Sequence, residues 1–332
     1  MGFDDLAHLL HQLTMPAIAS SAPAKIILFG EHAVVYGQPA IAIPFTAVKA
    51  KCSVFARPDL PSGKVNMNFA ISGEMNDLHG DLSQFMDRVL RIVSNFARID
   101  QYPASEIKVT SSIPLGSGLG SSASIAVAMI RAATQFLGLE LSNDAVNELA
   151  YQSEMLCHGT SSGLDNTVVV YEKPVYFVKN KPLEKVSPQG MRTFIVADTG
   201  IPGSTRDEVA KVRSRWESSN IETESLFARI GAIANQARHL LENHPFIPVG
   251  NLLTENHELL QELGVSSQEL DHLVIEAIKT GAFGAKMTGG GGGGNIVAEV
   301  KKESAEEIRA HLLSAGAKRA WITQLGSQER YE

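Results

Sequence analysis

Residues 113–138 read IPLGSGLGSSASIAVAMIRAATQFLG. The stretch changes character midway. Up to Ala123 glycine alternates with leucine and serine; residues 122–137 are apolar on nearly every face. An apolar run of that length predicts a buried helix, with Gly138 placed to stop it. Pro114–Ala123 is then a loop that feeds a helix N-terminus. Such a loop is a ready anion site, because its N–H groups and those of the first helical turn lack intrahelical partners. Gly116, Gly118 and Gly120 keep side chains out of the way, and Ser121 and Ser122 add hydroxyls, which suits the phosphates of a nucleotide. No lysine follows as a P-loop requires, the spacing is G-x-G-x-G rather than the dinucleotide G-x-G-x-x-G, and the H-R-D and D-F-G of protein kinases are absent. The competing reading is an ordinary turn, where glycine and serine are also common.

Outward from this segment, AKIILF (24–29) predicts a buried strand broken by Gly30-Glu31-His32. Residues 40–56 predict one or two strands with Pro44 at a break or an edge. Residues 64–71 alternate like a half-buried strand, 83–98 have helical spacing, and 106–110 form a short strand. Residues 143–157 predict a helix with Asn143 as N-cap; TVVVY (167–171) and VYFV (175–178) read as strands. A second half starts with a strand at 193–198. Helices follow at 205–218, 222–242, 248–263 and 268–280, then strands at 283–288 and 295–300, a helix at 303–315 and a strand at 319–324. Strands and helices mix without regular βαβ alternation, so the expected class is α+β. A chain of 332 residues suggests two domains at about 150 each. The dip in hydrophobicity at 179–191 divides it into residues 1–190 and 191–332.

Composition narrows the functions. Lys plus Arg is 29 against 36 Asp plus Glu, a net charge of −7, so there is no global attraction to nucleic acid or an anionic membrane. Any phosphate must be held by local groups. No run of 18 apolar residues spans a membrane. Cys52 and Cys157 cannot build a disulfide framework or a four-ligand zinc site, which favours a reducing, cytoplasmic setting. Leu6, Leu9, Leu10 and Leu13 are helically spaced, in a short docking helix or an extension before a second start at Met15.

Six consecutive glycines, Gly289–Gly294, form a second cluster between two strands, after Lys286-Met287-Thr288. Ordering six glycines is entropically costly, so a close backbone approach to a substrate or to the first loop explains them better than packing. Two carboxylates suit phosphoryl transfer, which needs oxygen ligands for Mg²⁺ and a carboxylate near the attacking hydroxyl. Glu154 lies late on its helix, and Asp165 follows on a glycine-containing loop. Spacing alone also allows a surface Glu and a capping Asp.

Three segments together carry a resemblance. PAKIILFGEHAVVYG (23–37), PLGSGLGSSA (114–123) and KMTGGGGGG (286–294) resemble, in order and spacing, the three motifs of the GHMP kinases, a family of galacto-, homoserine, mevalonate and phosphomevalonate kinases. The GEHAVVYG form and the HGTSSGLDN segment (158–166) resemble the branch that acts on mevalonate. The third motif departs from the family pattern at two places, with Gly290 for the usual Ala and Asn295 for the usual Cys.

The resemblance implies an N-terminal domain like ribosomal protein S5 domain 2, a ferredoxin-like C-terminal domain, and a site in the cleft between them. It implies ATP and mevalonate as substrates, Mg²⁺ as cofactor, and no nucleic-acid or membrane partner; it allows a homodimer. Pro114, Gly116, Ser117, Gly118, Leu119, Gly120, Ser121 and Ser122 would wrap the ATP phosphates, with Ser111 nearby. Ser122 and Glu154 would hold Mg²⁺. Asp165 would accept the proton of the acceptor's primary hydroxyl, with Lys25 close to both. Glu31, His32, Thr205, Gly289 and Gly290 would line the acceptor side. Arg206 is a candidate for the substrate carboxylate, since arginine can grip one bidentately. Local alternatives stand beside two of these roles: Lys25 as a snorkelling strand-end lysine and His32 as a satisfied core histidine. A kinase for another small alcohol, or a non-catalytic nucleotide sensor on the same fold, are the rival functions. A sensor should have lost part of the set Lys25, Ser122, Glu154 and Asp165, all present here.

Overall fold

The computed structural model describes residues 17–71, 79–158 and 161–326; the leucine stripe and Met15 lie outside them. The first half is organised on one long strand, β2 (Ala40–Ala56), which pairs antiparallel with β1 (Ala17–Phe29), β4 (Ser105–Ser111) and β5 (Val175–Phe177). The strand β3 (Val65–Ile71) joins β4 in parallel, and β6 (Glu184–Lys185) extends the sheet beyond β5. Pro44 breaks nothing. It pairs with Lys25, whose N–H points away from β2 to Leu119, so the pair is a non-hydrogen-bonded one and needs no donor from Pro44. Residues 43–48 of β2 also lie between the stretches that pair with β5 and β4, where no strand pairs with that edge among the described residues.

The apolar run after Gly120 is a buried helix, α2 (Ser121–Phe136), packed on β1 and β2 and flanked by α1 (His79–Ala97) and α3 (Asn143–His158). Gly138, at φ 74°, ends α2: its N–H bonds Gln135 and that of Leu139 bonds Thr134. Ser142, not Asn143, caps α3, its Oγ accepting from the Ala145 N–H at 3.2 Å. TVVVY is not a strand. It lies in α4 (Leu164–Tyr171), which opens at Gly163 in the left-handed region. Three valines in a row favour a strand locally, but the helix sends Val168 to one apolar cluster and Val169 and Val170 to another. Tertiary burial on two sides overrides the local preference.

The second half forms a four-stranded antiparallel sheet of β7 (Arg192–Asp198), β8 (Gly284–Thr288), β9 (Asn295–Val300) and β10 (Arg319–Leu325) in the order β10-β7-β9-β8. That is the order of a ferredoxin-like sheet. Its first crossover is enlarged to four helices, α5 (Thr205–Ser218), α6 (Asn220–Asn243), α7 (Gly250–Leu263) and α8 (Gln268–Lys279); α9 (Ala305–Ser314) makes the second. Among the described residues no helix is long and apolar enough to cross a membrane.

At the end of β8 one side chain hydrogen-bonds the two sheets together, beside the ring contact of Phe45 on β2 with Trp321 on β10. Thr288 Oγ1 accepts from the Ile27 N–H at 3.1 Å and donates to the Ile27 carbonyl at 2.9 Å, and Thr288 is buried. Thr288→Val keeps the volume but orphans both groups of Ile27. Unsatisfied buried polar groups cost about 1–3 kcal/mol each, so denaturant titration should show a loss of roughly 2–5 kcal/mol. A loss below about 0.5 kcal/mol would mean that the two sheets do not depend on this bridge.

Candidate active site

The site is built along the open edge of β1. Alternate residues of a strand direct their N–H groups to the same side. Those of Lys25 and Ile27 face away from β2: the first donates to Leu119 of the 114–123 loop at 3.0 Å, the second to Thr288 before the six glycines. The register shifts between Pro23 and Ala24 and between Ile27 and Phe29 bracket this stretch, which stays paired to Ala42–Phe45 between them. Both glycine loops therefore close on the same three residues.

The loop holds its carbonyls inward. Five in succession have a protein donor: Gly116 from the Gly203 N–H (2.8 Å), Ser117 from Asn295 Nδ2 (2.8 Å), Gly118 from Lys25 Nζ (3.0 Å), Leu119 from the Lys25 N–H (3.0 Å) and Gly120 from the Ser124 N–H (3.0 Å). The N–H groups of Gly118, Leu119 and Gly120 and those of the first turn of α2 have no acceptor among the described residues. Gly116, Gly118 and Gly120 are left-handed at φ 66°, 76° and 74°, and a row of outward N–H groups ahead of a helix N-terminus is an anion cradle. Pro114 accepts the Ser117 hydroxyl at 2.8 Å, and the Ser111 hydroxyl supports the Ile113 N–H at 3.1 Å. These two shape the loop from within.

Lys25 joins the loop to the carboxylates. Its buried ammonium donates to Gly118 and lies 3.2 Å from Asp165 Oδ1. Gly120 makes room for it: a Cβ there would sit 2.9 Å from Lys25 Cγ and 3.6 Å from Asp165 Oδ2. Glu154, buried on α3, accepts from Ser122 on the first turn of α2; burial, and then the nearby Asp165 charge, push its carboxyl up to about 7. The Ser121 hydroxyl is buried with no hydrogen-bond partner among the described residues. Lys25, Asp165, Ser122 and Glu154, which come from three helices and a strand, thus share one cluster.

A second cluster joins the first and third motifs. Glu31 is ion-paired to Lys286 of β8 with both side chains fully enclosed. Burial drives the Glu31 carboxyl up and the Lys286 ammonium down, against the attraction of each for the other. His32, at φ 59°, is buried, and its Nε2–H donates to the Gly290 carbonyl at 2.9 Å; burial lowers its pKa to about 4, so the ring is neutral at pH 7. Gly289 lies against Gly118 backbone to backbone, a Cβ on Gly289 falling 2.8 Å from Gly118 Cα. Gly289 and Gly294 thus approach the first loop, while the four glycines between them lie against Thr205, Val265, Glu208 and Ile201. Thr205, exposed at the start of α5, lies over Gly290, and Arg206 beside it is exposed with no ion pair among the described residues.

Both departures from the third-motif pattern have local partners. A Cβ on Gly290 would sit 2.7 Å from Thr205 Oγ1 and 2.8 Å from its Cα, so alanine would displace the start of α5. Asn295 uses its amide on Ser117. Lys286, Thr288 and Asn295 carry contacts that sequence reasoning did not assign. Their one local signal was their place at the two ends of the glycine run.

Known proteins resemble this chain along most of its length. Residues 87–173 match the family described as GHMP kinases N terminal domain, and residues 237–318 match GHMP kinases C terminal. The chain is 36% identical to a mevalonate kinase of Thermococcus gammatolerans over 94% of this chain and 97% of that one. It is 35% identical to one of Pyrococcus horikoshii over 82% and 85%. Its structure is similar to L. major mevalonate kinase in complex with R-mevalonate, with a TM-score of 0.83, 26% identity, and 95% and 98% of the two chains covered.

The raised Glu154 pKa has a measurable consequence. A carboxyl raised from 4.5 to about 7 favours the fold while protonated. That contribution is whole below about pH 4.5 and is lost as pH rises through about 7. Glu154→Gln stays neutral throughout. In protein free of nucleotide and metal, the variant should therefore gain roughly 2–3 kcal/mol on wild type between about pH 5 and pH 8. A difference in stability that stays constant over this range would refute the buried, raised carboxyl.

Proposed function

The chain belongs to the mevalonate kinase family of the GHMP kinases, and from that premise we propose which residues carry the reaction. Its activity is that of a mevalonate kinase, an ATP-dependent phosphotransferase with an alcohol as acceptor. We assign the primary C5 hydroxyl of mevalonate as the nucleophile, with 5-phosphomevalonate and ADP as products. The observation that carries the assignment is the placement of Lys25 between the Gly118 carbonyl of the anion cradle and the Asp165 carboxylate.

Phosphoryl transfer is mostly positioning and charge stabilisation. The N–H groups of Gly118, Leu119 and Gly120 and the first turn of α2 bind the phosphates. Asp165, a third exposed at its side chain, takes the proton of the hydroxyl as the bond to phosphorus forms. Lys25 offsets charge on the moving phosphoryl group and on the oxygen losing its proton. Glu31 and His32 orient the acceptor, with His32 acting as a neutral hydrogen-bonding group, and Thr205 and Arg206 close its far side, Arg206 toward the carboxylate.

Ser122 and Glu154 give two hard oxygen donors. No group of three His, Cys, Asp or Glu that could hold a metal occurs among the described residues. So small a protein set fits Mg²⁺, which keeps waters and phosphate oxygens as its other ligands. We assign Ser122 and Glu154 to hold it, and its chemistry there is to neutralise phosphate charge.

Asp165→Asn keeps the shape and removes the proton acceptor. Turnover with mevalonate should fall by roughly 10²–10⁴ while ADP binding stays near wild type. Near-normal turnover in the folded variant would remove Asp165 from the role. Glu154→Gln should raise the Mg²⁺ needed for half-maximal activity and leave metal-free ADP binding much less affected. An unaltered Mg²⁺ titration would assign Glu154 to structure alone. Phosphorus NMR of the product, with galactose, homoserine and phosphomevalonate run in parallel, tests the acceptor.

A further inference from the structure

Asn295 opens β9, wholly buried, and reaches out of the C-terminal sheet into the phosphate loop. Its Nδ2 donates to the Ser117 carbonyl at 2.8 Å, while its Oδ1 finds no partner among the described residues. A buried amide with one end unsatisfied is costly, so the contact made by the other end is the one to explain. Other donors serve the neighbouring carbonyls. Lys25 holds Gly118 and Leu119 from β1, Ser124 holds Gly120 from α2, and Gly203 holds Gly116. Ser117 depends on Asn295 alone among the side chains of the described residues.

The planar peptide turns this contact into a constraint on the phosphate side. The Ser117 carbonyl and the Gly118 N–H belong to one peptide group and point in opposite directions. Gly118 is left-handed at φ 76°, and glycine adopts either sign of φ at little cost. Without a donor on Ser117, this peptide could flip and turn a carbonyl oxygen toward the phosphates in place of an N–H. The loop's close neighbours do not prevent this by bulk, because Gly289 and Gly294 line that side of it.

We propose that Asn295 is a positioning residue for the nucleotide phosphates: by holding the Ser117 carbonyl it keeps the Gly118 N–H in the anion cradle. The inference rests on the reading of residues 114–122 as the phosphate site. It deepens that reading by making the cradle depend on a residue of the C-terminal sheet. A side chain that only stabilised the fold would weaken all ligands together. One that sets the Gly118 peptide acts on phosphates beyond the first and leaves the nucleoside and the acceptor alone.

The test is ligand binding and kinetics on the full-length Asn295→Ala variant, with Asn295→Ser measured the same way should Ala fail to fold. ADP and AMP affinities are measured by calorimetry, and KM for ATP and for mevalonate by steady-state kinetics. Loss of one oriented donor should weaken ADP and raise KM for ATP roughly three- to tenfold, with AMP affinity and KM for mevalonate within about twofold. Equal weakening of ADP and AMP, a shift in KM for mevalonate as large as that for ATP, or unchanged ADP binding would each overturn the proposal. Gly118→Ala is the control for the underlying reading. If it leaves ADP binding intact, the phosphate site itself is misassigned. If it weakens ADP while the Asn295 variant does not, only the role of Asn295 fails.

Discussion

The buried ammonium of Lys25 is the group around which this site is arranged. An isolated ammonium in an apolar interior is far too costly to persist, so it must be paired and hydrogen-bonded. Here one partner is the Gly118 carbonyl and the other the Asp165 carboxylate. In the proposed assignment the first belongs to the loop that binds the phosphates and the second to the helix that carries the proton acceptor. Satisfying one charge therefore fixes the spacing between the anion cradle and the proton acceptor. Gly120 allows it, since a side chain there would occupy the space of the Lys25 stem.

The same strand organises the rest. Because β1 has a neighbouring strand on one side only among the described residues, its outward groups are available to segments far away in sequence, and two of them take the offer. Leu119 binds at Lys25, and Thr288 binds at Ile27. The glycine loops then meet backbone to backbone at Gly118 and Gly289. Glycine in these loops is a means of close approach. The ion pair of Glu31 with Lys286 and the bond from His32 to Gly290 extend the same junction toward the acceptor. The proposed phosphate and acceptor sides thus share one scaffold, in which movement of the C-terminal sheet would be felt by both.

The burial of Glu154 gives the cluster a second electrostatic feature. With Asp165 nearby and little water, its carboxyl titrates near neutrality in the free protein. A bound cation would favour the charged form, so metal binding and proton release are linked at this residue. The neutral state of His32 has the same origin in burial, without a charged partner to offset it. Two groups that read alike as polar motif residues thus have different states for one physical reason, the loss of water around them.

Much of this was legible in the sequence where the signal is local. The apolar run after Gly120, the stop at Gly138, the alternating strands and the lack of βαβ order follow from short-range periodicity and backbone sterics, and they specify the α+β class. The glycine loops announce close backbone approach because glycine is costly to order without a reason. Valines 168–170 misled for the same local reason: a β-branched run favours a strand until burial on two faces makes a helix better. What only the tertiary structure decided are contacts between residues far apart along the chain. These are Lys286 on Glu31, Thr288 on Ile27 and Asn295 on Ser117, separated by 255, 261 and 178 positions. Nothing near Lys286 or Asn295 in the sequence marks a buried charge or an amide in need of a partner. The sequence by itself determined the elements and the chemistry each could offer. Folding determined which groups lost their water together, and that loss is what pairs them.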